Sequence, residues 1–141
     1  MRICIPECAR NGHMKEGLKE IVPRPLTERE SGWVRDILNA SAAWRGVDFS
    51  KTQVVAEGQE DEGICFVLRA DEPENLNEPS LLESVGNLWI HVDDGGTINV
   101  QLSQWRGRLQ ELYVLYIDPK HPNRSLPDEW VEVSREAIDD L

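Results

Sequence analysis

An imidazole and a carboxylate on one sheet face can pass a proton to and from a bound molecule, and His91 and Glu111 are the candidates for that role. Their placement follows from a hairpin pattern. In 87–93, Leu88, Ile90 and Val92 alternate with polar or aromatic residues, and in 97–103 so do Ile98, Val100 and Leu102. Asp94-Gly95-Gly96 between them is turn chemistry. A three-residue loop sets Asp93 opposite Thr97, and then Val92 faces Ile98, Ile90 faces Val100 and Leu88 faces Leu102. All the apolar side chains fall on one face. Trp89, His91, Asn99 and Gln101 fall on the other. A third strand, Leu109–Ile117, follows the turn Gln104-Trp105-Arg106-Gly107. A one-residue bulge that sets Val100 opposite Leu112 brings Glu111 and Tyr113 onto the same outer face; without it Glu111 points into the core. Trp89, His91, Asn99, Gln101, Glu111 and Tyr113 are therefore the candidate binding patch. Its aromatic members suit a recognition surface, because Trp and Tyr favour interface centres. A solvated face, or one covered by another segment or subunit, is the competing reading. No residue is assigned a catalytic role.

Cys4, Cys8 and His13 are the start of a thiolate–imidazole set. A structural zinc site needs four ligands, so Cys65, His91 or His121 would have to complete it. The four-residue step between Cys4 and Cys8 is not the usual zinc spacing, and the expectation is no metal and no cofactor. A Cys4–Cys8 disulfide is a further option. The favoured state is free thiols, with Cys65 a small buried hydrophobe in an apolar strand. Asp93-Asp94-Gly95-Gly96 lacks the remaining oxygen ligands of a calcium loop and reads as the hairpin turn. No nucleophile elbow, phosphate-binding loop, dinucleotide fingerprint, zinc-protease helix or kinase signature occurs.

Charge supplies the second functional clue. The chain of 141 residues carries 15 Lys+Arg and 26 Asp+Glu, a net charge of −11. Residues 1–50 hold 8 basic and 7 acidic side chains, whereas 51–141 hold 7 basic and 19 acidic, a net of −12 in the second segment alone. Such a balance opposes binding through phosphates, so no nucleic acid is expected. It suits a basic protein partner, whose association it would steer. Glu60, Asp61, Glu62, Asp71, Glu72 and Glu74 crowd two neighbouring loops and form the expected acidic partner surface. No run reaches the ~18 apolar residues of a membrane span, and the first residues lack a signal peptide's apolar region. The expectation is a cytoplasmic protein with no membrane partner.

These residues need elements to hold them. Residues 1–23, interrupted by Pro6, Gly12, Gly17 and Pro23, read as an extension, mobile or partly vector-derived, since Gly12-His13-Met14 matches a cloning scar. Within it, 15–22 suits a short helix or an edge strand. The domain proper is expected over 24–141. Thr27 with Glu30 three residues on has the spacing of a capping box, and predicts a helix from Glu28 to Ala43 with Trp33, Val34, Ile37 and Leu38 on its buried face. Gly46 ends it. Residues 52–57 and 64–69 read as strands, 71–80 as a surface loop, and 128–141 as a short acidic helix. Together these predict an α+β fold: one N-terminal helix on an antiparallel meander of about five strands.

Two segments carry a family resemblance. Arg24-Pro25-Leu26-Thr27-Glu28-Arg29-Glu30 and Arg108-Leu109-Gln110-Glu111-Leu112-Tyr113 resemble the helix start and closing strand of a group of small uncharacterised bacterial α+β domains, over roughly residues 24–118. By size and charge such domains look like the immunity proteins that neutralise bacterial toxins. The acidic 51–141 half and the absence of any catalytic motif point to a non-enzymatic protein-interaction module, of which a toxin-neutralising immunity protein is one form. The alternatives are a small ligand-binding domain or enzyme using the outer face around His91 and Glu111, and a structural domain that forms a homodimer.

Overall fold

The computed structural model describes residues 18–59, 63–69, 83–105, 107–118 and 129–139. Its first element, β1 (Leu18–Pro25), is an edge strand of the sheet, one of the two options for 15–22, and leads directly into α1 (Glu28–Ala40). The turn between them is set by short-range chemistry. Glu30 N–H donates to Thr27 Oγ1 at 3.1 Å and Thr27 N–H donates to Glu30 Oε1 at 2.8 Å, a complete capping box. Arg24 of β1 then grips the same carboxylate with both guanidinium nitrogens, at 2.8 and 3.0 Å. The helix ends three residues earlier than expected, because Ser41 is extended and its N–H turns back to the Leu38 carbonyl.

Six further strands follow: β2 (Gln53–Gln59), β3 (Gly63–Arg69), β4 (Glu83–Val92), β5 (Thr97–Trp105), β6 (Arg108–Ile117) and β7 (Glu132–Asp139). They form one antiparallel sheet in the order β1-β2-β3-β6-β5-β4-β7. Two three-stranded meanders are joined where β3 pairs with β6, which puts β6 at the centre. The sheet thus has seven strands where about five were expected. The largest departure is at the chain end, where 132–139 is a strand on β4 and not a helix. Its Glu and Ala favour helix locally, but β4 presents an unpaired ladder, and tertiary pairing outweighs a weak propensity.

α1 packs on β4, β7 and β5. Its Trp33, Val34, Ile37 and Leu38 join Leu88, Ile90, Ile98, Val100, Leu102, Leu112 and Val114 in the main core. Trp33 stacks on Trp130 with ring centroids 6.4 Å apart, and Trp44 packs half-buried against the same core. Gly86 of β4 makes the close approach possible: a Cβ there would meet the Ile138 carbonyl oxygen at 2.7 Å and an Ile37 methyl at 3.1 Å. Among the described residues, no helix is long and apolar enough to cross a membrane.

Candidate functional site

The β4–β5 hairpin turns over Val92–Gly96, with His91 opposite Thr97, Ile90 opposite Ile98 and Leu88 opposite Val100. This register differs by two residues from the expected one. The carboxylate of Asp94 explains the turn: it accepts from Gly96 N–H at 2.8 Å and from the Tyr116 hydroxyl at 2.8 Å. Gly96 lies under that tyrosine, and a Cβ on it would come within 2.5 Å of the hydroxyl. The β5–β6 pairing is also displaced by two, with Val100 opposite Val114 and Leu102 opposite Leu112. Its register shifts by one residue between Ser103 and Gln104, the position of the bulge.

A shift of two leaves every side chain on its face. Trp89, His91, Asn99, Gln101, Glu111 and Tyr113 accordingly all project from the face opposite α1, in rows fixed by pairing. His91 and Thr97 make one row, with His91 Nδ1 and Thr97 Oγ1 3.3 Å apart. Trp89, Asn99 and Leu115 make the next, followed by Asn87, Gln101, Tyr113 and Cys65. Ser84, Ser103, Glu111 and Val67 make the last. A chain of amides links the middle rows: Gln101 Nε2 donates to Asn99 Oδ1 at 2.9 Å, and Asn99 Nδ2 reaches Asn87 Oδ1 and the Leu88 carbonyl at 3.4 Å.

What the face does not do is bring His91 to Glu111. In the expected register only two residues of β5 separate their rows. In the structure the rows run from Thr97 to Ser103. Six residues of strand place them about 20 Å apart, beyond any shared ligand proton. Nor is the face uniformly wet. His91 is exposed, Trp89, Gln101 and Tyr113 are half-buried, and Asn99, Ser103 and Glu111 are buried, with Glu111 at 0% exposure. Ala56, Cys65 and Val67 on the same side are buried as well. The outer face is therefore a second interior over β2, β3, β6 and part of β5, and only its β4 end is a surface.

Cys65 is the residue that the sequence reading misjudged. It is buried, as expected, but it is disulfide-bonded and not a free thiol. The other cysteines of the chain, Cys4 and Cys8, lie outside the described residues, as do His13 and His121. The only sequence signal was parity: Cys65 alternates with Phe66 and so faces away from the helix side of the sheet. Among the described residues, no group of three or more His, Cys, Asp or Glu side chains could hold a metal ion. The acidic set Glu60, Asp61, Glu62, Asp71, Glu72 and Glu74 lies outside the described residues.

Two features were not anticipated. An open cleft beside the start of α1 is lined by Thr27, Glu28, Arg29, Gly32, Trp33 and Arg135. Its cations are engaged already: Arg29 lies 4.1 Å over the Trp130 ring, and Arg135 pairs with Glu132 and Asp36. The second feature is β7 itself, whose flank carries exposed Val131, Val133 and Ile138. No family model, curated protein or solved structure matches this chain.

Proposed function

We propose that this protein is a non-enzymatic interaction module that binds a basic protein partner, in the manner of a toxin-neutralising immunity protein. One observation carries the reading: the net charge of −12 concentrated in residues 51–141. A field of that sign raises the encounter rate with a cationic surface and is relieved by it. The separation of His91 from Glu111 supports the same reading, since it removes the acid–base pair on which an enzymatic alternative depended. The outer-face residues then act as structure at the buried end and as surface around Trp89 and His91.

The test is association kinetics with the basic partner recovered from the native host, across a salt series. The on-rate should fall as salt rises, because exposed charges are screened beyond about 8 Å at physiological ionic strength. Neutralising Glu60, Asp61 and Glu62 together should lower the on-rate more than it raises the off-rate. An on-rate indifferent to salt and to this triple substitution would refute the reading. A cytoplasmic location belongs to the same proposal, and the Cys65 disulfide weighs against it, because such bonds belong to oxidising compartments. Alkylation of free thiols in intact cells decides between the two.

A further inference from the structure

The two edges of the sheet are built differently. β1 carries Pro23 and Pro25 and a register break between Glu20 and Arg24, so the strand lacks two backbone donors and its ladder is irregular. Both devices blunt an edge against strand addition. β7, which among the described residues pairs with β4 alone, has neither proline nor break within Ser134–Asp139; its one irregularity sits at the start, against His91 and Val92. Val131 through Glu136 are all exposed, and Val131 and Val133 keep 63% and 68% of their surface in water. Val22 on β1 is exposed too, but it stands directly before Pro23.

Charge gives the open edge a sign. Glu129–Asp139 contains four acids and one arginine, a net of −3. The arginine, Arg135, is spent on Glu132 and Asp36. Glu129 and Glu136 make no ion pair among the described residues. We propose that the free edge of β7 is the docking surface, and that it takes an extended basic segment of the partner as an eighth strand. This rests on the basic-partner reading and gives it a place. Main-chain hydrogen bonds to the unpaired ladder supply affinity, and alternate side chains supply specificity. Glu136 lies on the outer face, opposite Trp89, with Ile138 two residues further on the same side. The matching guest carries Lys or Arg against Glu136 and a branched apolar side chain two residues away.

A second copy of this chain fits the edge less well. Two β7 strands paired antiparallel about a two-fold axis set residues of equal parity opposite each other. Centring on residue 135 opposes Arg135 to itself, and centring on residue 136 opposes Glu136 to itself. Like charges directly across a ladder are destabilising. Centring on residue 137 does set Arg135 opposite Asp139, but Arg135 is already held by Glu132 and Asp36, and every register brings together two edges of net −3.

The experiment uses the full chain and a defined probe, the peptide acetyl-Thr-Lys-Thr-Val-Thr-Lys-Thr-amide, with a control in which both lysines are glutamate. Backbone amide shifts and amide exchange are followed by NMR at low salt. The expected result is saturable shifts confined to 131–139 and its β4 neighbours, with slowed exchange at alternate β7 amides and no response to the glutamate peptide. Glu136→Lys, an exposed change that leaves the fold intact, should weaken binding about tenfold, through one lost ion pair and one like-charge contact. Shifts confined to another acidic surface would overturn the edge proposal and leave the basic-partner reading standing. No shift anywhere at millimolar peptide would count against both. A dimer in solution whose formation protects β7 would replace the basic guest with a second copy and overturn the proposal.

Discussion

Replacing Glu30 by Ala should destabilise the protein by about 3 kcal/mol, a large fraction of a domain's marginal stability. The Glu30 side chain is 7% exposed and sits where three structural levels meet. Within the helix it closes the capping box on the Thr27 N–H. Between elements it takes both nitrogens of Arg24, whose side chain is 31% exposed and which also lies 5.7 Å over Phe66. The cap alone is worth about 1 kcal/mol, and hydrogen bonds to a charged group about 1.5–3 kcal/mol. These terms share atoms and do not add in full, and the partial exposure of Arg24 discounts its share. Burial pushes the Glu30 carboxyl up, but the hydrogen bonds from Arg24 and Thr27 outweigh it and hold its pKa below the ordinary value. A carboxyl depressed in the folded state contributes stability above its unfolded pKa of about 4.3, and that contribution is lost as pH falls below it toward the folded value. The assay is urea unfolding of wild type and Glu30→Ala from pH 7 to pH 3. The gap between them should be full at pH 7 and shrink below about pH 4. Glu30→Gln keeps the shape and one acceptor, so it should lose less than Ala. A gap under 1 kcal/mol at pH 7, or one that does not change with pH, would refute this account of how β1 is tied to α1.

Leu38→Ala removes a side chain that is 2% exposed in the main core and should cost roughly 2–5 kcal/mol by chemical denaturation; a loss under 1 kcal/mol would mean that α1 does not pack on β4 as described. Reducing the Cys65 disulfide should cost roughly 2–4 kcal/mol, the usual worth of a native disulfide. Thermal scans with and without reductant should then differ by roughly 10 °C, with peptide mapping identifying the partner. An unchanged midpoint in protein shown by mass to be fully reduced would count against a constraining role for that bond.

The features legible in the sequence were those fixed by short spacing. Thr27 and Glu30 announce a helix start because both halves of the cap lie within one turn. The sorting of Trp89, His91, Asn99, Gln101, Glu111 and Tyr113 onto one face was legible because side chains alternate with a period of two. For the same reason the sequence was blind to a register slip of two, which leaves every face intact and yet moves His91 and Glu111 apart along the sheet. That slip is decided by Asp94 bonding to Tyr116, a residue 22 positions away, and by how Gly96 fits beneath its ring. Likewise 132–139 has no strand alternation of its own, and it becomes β7 because the free ladder of β4 is there to receive it. Parity and caps are local and survive in the chain as written. Register, edge pairing and the state of Cys65 depend on groups far apart in sequence that meet only when the sheet closes.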